Sequence, residues 1–185
     1  MRAIFLTILC AFSISPMEAK DKPPIIHRIP LPPQPDYSAL DWLGGEWTGQ
    51  TLERSPQGEI SLNASFDLEK RFMVFREQVS IAASDTAPES KETWMGILSP
   101  GSAGPGFILR TFSDTGFITR YRVTVEQANV YLNSDGGELP PPGWLLRRLW
   151  QRTDVGDILE SVQVAPPHRA FFDYYTARLT RKAAQ

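Results

Sequence analysis

The sequence predicts an all-β protein: a single ten-stranded antiparallel up-and-down β-barrel with a short N-terminal helix. Three observations predict it. From Glu46 onward apolar residues recur at every second position, and no helical period of useful length follows residue 45. Clusters such as "SPQG", "SDTG", "NSDGGELPPPG" and "TDVGD" break the alternation at short intervals. A glycine-flanked tryptophan, "GEWTG" at residues 45–49, stands at the head of the pattern.

Residues 1–19 precede all of this. Arg2 is followed by the apolar run "AIFLTILCAFSI" and a small residue, Ala19, where cleavage would fall. That is a signal peptide, too short to span a bilayer, so the mature protein is expected to be secreted or periplasmic without a stable membrane span. Cys10, the only cysteine of the 185 residues, lies inside it. The mature chain then has no disulfide, thiol nucleophile or cysteine metal site, and its stability must come from a core.

Residues 20–36, "KDKPPIIHRIPLPPQPD", hold six prolines in seventeen positions. This reads as an extended polyproline tether, with His27 an ordinary linker residue. The barrel domain is expected over residues 37–183. Its first element is "SALDWLGG", in which Ser38 and Asp41 form a capping-box-like pair and Gly44 or Gly45 ends a turn or two of helix. Leu40 and Leu43 would face the core, with Trp42 at the rim.

Ten strands are expected at about 46–54, 59–67, 71–81, 92–98, 106–113, 116–125, 129–133, 145–152, 157–164 and 170–180. Short connections favour an up-and-down sheet, and a sheet of that length curls and closes. The second strand points Ile60, Leu62, Ala64 and Phe66 inward. The sixth points Phe117, Thr119, Tyr121 and Val123 inward, because Arg120 and Arg122 must meet water. The last places Phe171, Asp173, Tyr175, Ala177 and Leu179 on one face. Inward faces that mix Thr, Tyr and Asp with apolar groups suit a hollow interior better than a solid core, since each buried polar group needs a partner.

The glycines let the first strand bend as it leaves the closed end and let a neighbouring backbone come close. Trp47 shares their face and caps the barrel floor. Closure pairs the last strand with the first, which sets Arg181 against Trp47 as a cation–π pair and lets it donate to the free carbonyls of the short helix. A desolvated pair of that kind is worth on the order of 2 kcal/mol.

A short helix, then Gly45-x-Trp47-x-Gly49, then a meander ending in an aromatic-rich strand with a terminal arginine resembles the calycin superfamily, over residues 36–182. Ten strands without disulfides are most similar to its nitrobindin-like or fatty-acid-binding-protein-like branch, including uncharacterised bacterial domains. The resemblance implies a ligand held inside the barrel. Nitrobindins hold haem through a histidine near the barrel's end, and the final strand "AFFDYYTARLTRK" has none. His168, in the preceding turn, is the weak candidate, with Tyr174 or Tyr175 as remoter ones.

No nucleophile–base pair, metal-binding spacing or phosphate-cradling glycine loop is present. Net charge is −2, and the arginines of "RRLWQR", with Arg120 and Arg122, read as an outer solvated face, so no nucleic-acid partner is expected. Glu160, sharing a face with Ile158 and Val162, and Asp173 are expected as interior carboxylates. Arg76 is expected on an inward face with Phe72, Val74 and Gln78, where it could bind a polar head group. The loop at 133–144 is a long hairpin connection with Trp144 at its tip. The reading is therefore an exported, non-catalytic carrier without cofactor. It would bury a small hydrophobic or amphipathic molecule, lipid- or fatty-acid-like, against Phe66, Phe117, Tyr121 and Tyr175. A haem protein or enzyme using His168 or a tyrosine, and a filled structural or interaction barrel, are the alternatives.

Overall fold

The computed structural model describes residues 29–85, 87–101 and 106–183. The signal-peptide reading and His27 lie outside the described residues. The chain divides into two units, Met1–Pro32 and Pro33–Gln185. Of the first, only residues 29–32 are described; they are exposed and irregular.

The second unit is a closed barrel of ten antiparallel strands. They are β1 (Gly45–Thr51), β2 (Gly58–Asp67), β3 (Phe72–Ile81), β4 (Ser90–Pro100), β5 (Phe107–Ser113), β6 (Ile118–Glu126), β7 (Asn129–Ser134), β8 (Leu145–Arg152), β9 (Ile158–Ala165) and β10 (Phe172–Arg181). Each strand pairs with its neighbours in sequence, and β10 returns to β1 with Trp47 opposite Arg181 and Gly49 opposite Leu179. Closure leaves no unpaired edge. Gly49 permits it: a Cβ there would meet the Arg178 carbonyl oxygen at 1.9 Å.

One end is stoppered by a 3-10 helix, Ser38–Leu43, which buries Leu40 and Leu43 completely. The expected Ser38–Asp41 capping pair does not form. The helix has no side-chain cap at Tyr37, and Asp36 Oδ1 instead accepts the Ser38 amide at 2.9 Å. Six residues allow no i→i−4 ladder worth capping, so the tighter winding wins. Tyr37 stacks on Phe107 at 5.2 Å and tilts against Phe66 at 5.6 Å. Its single hydroxyl proton is shared between the Arg71 carbonyl at 3.0 Å and the Leu98 carbonyl at 3.3 Å. Just upstream, Gln34 and the Pro33 carbonyl bond to the β2–β3 turn at residues 69–71.

Inward rows follow the pleat. Ile60, Leu62 and Ala64 on β2, and Thr119, Tyr121 and Val123 on β6, are buried as the alternation predicts. Three rows differ from expectation. On β3 the buried side chains are Met73, Phe75, Glu77 and Val79, and Arg76 is exposed. The run Phe72-Met73-Val74-Phe75 is apolar on both faces, so it does not declare which is inside, and a one-residue slip inverts the whole row. On β8, Arg148 points inward between Leu146 and Trp150, while Arg147 and Arg152 stay outside. On β10 a bulge between Asp173 and Tyr175 breaks the parity, leaving Asp173 exposed against Gln163 and Tyr174 half-buried. The end opposite the helix is framed by the β5–β6, β7–β8 and β9–β10 connections.

Candidate functional site

Three interior rows each carry one ionisable residue among apolar ones: Phe75-x-Glu77-x-Val79, Leu146-x-Arg148-x-Trp150 and Ile158-x-Glu160-x-Val162. The barrel brings the three together. Arg148 Nη1 donates to Glu77 Oε1 at 2.5 Å and to Glu160 Oε1 at 2.6 Å. Each carboxylate also takes an indole N–H from the tryptophan directly opposite on the neighbouring strand. Trp94 Nε1 lies 2.9 Å from Glu77 Oε1, and Trp150 Nε1 lies 2.8 Å from Glu160 Oε1. The Tyr175 hydroxyl reaches the same Glu77 oxygen at 3.4 Å. Phe75 stacks on Trp150 at 5.2 Å, and the Arg148 guanidinium lies 4.9 Å over the Trp94 ring.

The cluster is not balanced. Two carboxylates share one guanidinium, and the second oxygens, Glu77 Oε2 and Glu160 Oε2, are buried without a hydrogen-bond partner. Both glutamate side chains are fully buried, and that of Arg148 is 13% exposed. Burial, then the charge of Glu77, push the Glu160 carboxyl up from 4.5 to about 7, against the pull of Arg148 and the Trp150 bond. Burial alone would lower Arg148, but the surrounding Glu77, Tyr175, Glu160 and Tyr121 hold it well above its ordinary value. Burial also raises Tyr121 and Tyr175. Glu160 thus takes up its proton well above the usual carboxylate range.

Over this cluster lies a cavity of about 250 Å³ at the end away from the helix. Its walls are Trp94, Leu109, Phe117, Tyr121, Leu132 and Leu146, with Thr111 and Thr119 between them. Glu92 and Asp114 stand at the mouth, and Arg148 is the one cation among the lining residues. Glu77 and Glu160 do not line it; they lie behind the guanidinium. Arg148 bonds to the carboxylates through Nη1 only, so its Nε and Nη2 protons have no protein partner among the described residues. Tyr174, turned inward by the bulge, donates to Glu92 Oε1 at 3.0 Å. Burial, then that carboxylate, push its hydroxyl up to about 12.

Of the residues expected to bind ligand, Phe117 and Tyr121 line the cavity. Glu160 and Tyr175 sit in the cluster behind it. Phe66 lies at the other end, against Tyr37. Arg76 and Asp173 are on the outer surface, so neither is available to an interior ligand. The interior arginine is Arg148, read from sequence as solvated, and its partner Glu77 was not singled out. The three rows with a single central charge are the signal that would have found them.

Arg181 lies 4.5 Å over the Trp47 ring and donates to the Gly44 carbonyl at 2.6 Å and the Trp42 carbonyl at 2.8 Å. Trp47 Nε1 donates to the Leu43 carbonyl at 2.8 Å. Gly45, at φ 125°, leaves room for the guanidinium, because a Cβ there would meet Arg181 Nη1 at 2.8 Å. The arginine is solvent-exposed, so its cation–π contact is nearer ~0.5–1 kcal/mol than the value for a desolvated pair.

The haem-ligand candidates lie as follows. His168 is exposed in a turn at φ 61° and is not among the cavity's lining residues. The cavity, at about 250 Å³, falls below the usual ~300–1,000 Å³ of small-molecule pockets. Burial of Tyr174 and Tyr175, the tyrosine candidates, disfavours their phenolates. Among the described residues no group of three or more His, Cys, Asp or Glu is placed to hold a metal ion, and no helix is long and apolar enough to cross a membrane.

No protein-family model matches the chain, and no curated protein sequence matches it. Among solved structures, the crystal structure of Rv2717c from M. tuberculosis is similar in fold. Its TM-score is 0.57 at 20% identity, covering 80% of this chain and 97% of that one.

Proposed function

We propose that the protein is an exported, non-catalytic binding protein that holds one small amphipathic molecule in the end of its barrel, as the calycin-like motif at Gly45-x-Trp47-x-Gly49 also suggests. The observation that carries this is the cavity of about 250 Å³ with aromatic walls and a single arginine at its base. Such a volume equals about eight waters of liquid, at ~30 Å³ each. It suits a compact ring-sized molecule better than an extended acyl chain. Burying such a molecule's apolar surface contributes roughly 25 cal/mol per Å², and Arg148 orients its polar end.

Native mass spectrometry of the exported protein tests this. A co-purified small molecule, lost when Leu146→Trp fills the cavity, is the expected result. A barrel that stays empty and binds no member of a fragment library would instead make it a structural module.

A further inference from the structure

The arrangement of charge around the cavity says what kind of molecule it accepts. Arg148 lines it, and its Nε and Nη2 protons, which make no hydrogen bond to protein among the described residues, need an acceptor. Yet Arg148 is already outnumbered. Glu77 on β3 and Glu160 on β9 stand behind it, with two buried oxygens that find no donor. Glu92 on β4 and Asp114 stand at the mouth. Tyr121 on β6 and Tyr175 on β10, which also face the cluster, bring no cation. A carboxylate ligand arriving at Arg148 would therefore add a negative charge to a site already in excess of it, in a medium where like charges repel strongly.

Resting on the binding function proposed above, we infer that the cavity selects a neutral molecule bearing a hydrogen-bond acceptor, such as an aromatic amide or ketone. We further infer that Glu160 is the specificity determinant that excludes carboxylates. The acceptor docks on the outer edge of Arg148, and the ring packs on Trp94 and Phe117. Removing the Glu160 charge leaves Arg148 paired one-to-one with Glu77 and converts the cavity into a carboxylate site. Protonating Glu160 does the same, and its raised affinity for a proton puts that conversion near neutral pH.

The test uses three probes of one shape: benzamide, benzoate and benzylammonium. Binding is read from the Trp94 indole N–H resonance of the mature protein at pH 8. Benzamide should bind the wild type, and benzoate at least tenfold more weakly. In Glu160→Gln benzoate should gain tenfold or more while benzamide changes less than threefold. Glutamine keeps an oxygen for Trp150 and Arg148, so this variant should fold; Glu77→Gln, which keeps the Trp94 acceptor, is the second variant and should give the same gain. Wild type brought to pH 5.5 should also gain benzoate. Equal binding of benzoate and benzamide by the wild type at pH 8 would overturn the charge selection while leaving the cavity's binding role intact. Benzylammonium binding tighter than benzamide would overturn Arg148 as the ligand's partner. If none of the probes shifts any cavity resonance in wild type or variants, the binding function falls, and the selectivity with it.

Discussion

The two ends of the barrel bury side chains under different rules. At the helix end, Leu40, Leu43, Trp47, Met73 and Leu98 are packed to 2% exposure or less. Most polar groups there are matched, the Trp47 N–H with the Leu43 carbonyl, the Tyr37 hydroxyl with two carbonyls and Arg181 with two more, and the two buried atoms left without a partner, Trp42 Nε1 and Asn129 Oδ1, are uncharged. At the far end the barrel keeps an unfilled space, two carboxylates on one guanidinium, and two buried oxygens without partners. A stability-driven core would replace such a charge cluster with apolar groups at little or no loss. The buried charge and the unfilled space separate what folds the barrel from what the barrel is for, because departures from packing and electrostatic rules concentrate where function constrains the sequence.

The largest expected losses set the two ends against each other. Trp47→Ala should destabilise the protein by ~3–5 kcal/mol in urea unfolding, as large-to-small changes in tight cores do. Arg148→Met should lose a similar ~3–5 kcal/mol by stranding two buried carboxylates. The distinction lies in rescue. Adding Glu77→Gln and Glu160→Gln to Arg148→Met should recover most of the loss, and adding them to Trp47→Ala should not. Equal rescue of both would erase the distinction.

A smaller effect comes from pH. The Glu160 carboxyl is higher in the folded state, about 7, than its ordinary 4.5, so the folded protein binds the extra proton more tightly. Its contribution is therefore fully favourable below pH ~4.5 and is lost as pH rises toward ~7. At 1.36 kcal/mol per unit, that is about 3 kcal/mol of stability lost across the window. Glu160→Gln should flatten this slope, leaving the variant more stable than wild type at pH 8 and about equal at pH 5. A slope unchanged by the substitution would place the proton elsewhere.

The smallest effect belongs to the closed end's rim. Arg181→Ala should reduce stability by only about 1 kcal/mol, since the guanidinium is exposed. It should leave probe binding at Trp94 unchanged. A shift of the Trp94 indole resonance in Arg181→Ala would couple the two ends.

The sequence made the closed end legible and the open end only partly so, for physical reasons. Strands β2 and β6 alternate cleanly, and their faces can be read directly. Leu40 and Leu43, the Gly45-x-Trp47-x-Gly49 entry and the terminal arginine follow from local rules and from chain closure. By contrast, "FMVF" on β3 is apolar at all four positions and "LLRRLW" on β8 doubles its leucine and its arginine, so neither carries a period of two. Their faces are decided by partners on other strands. Arg76 and Glu77 are adjacent, and only the cluster with Arg148 and Glu160 makes the glutamate the inward one. A bulge at Asp173 is invisible to any periodic reading, yet it turns Asp173 out and Tyr174 toward Glu92.

The claim that the open half of the barrel holds one negative charge too many is tested most directly by following the Glu160 side-chain carboxyl through a carbon-13 NMR pH titration of the folded protein. Its midpoint is expected near 7, moving upward when a carboxylate probe is forced in at high concentration. A midpoint at or below 4.5 would mean that Arg148 comfortably satisfies both glutamates, and the asymmetry between the two ends would have no electrostatic basis.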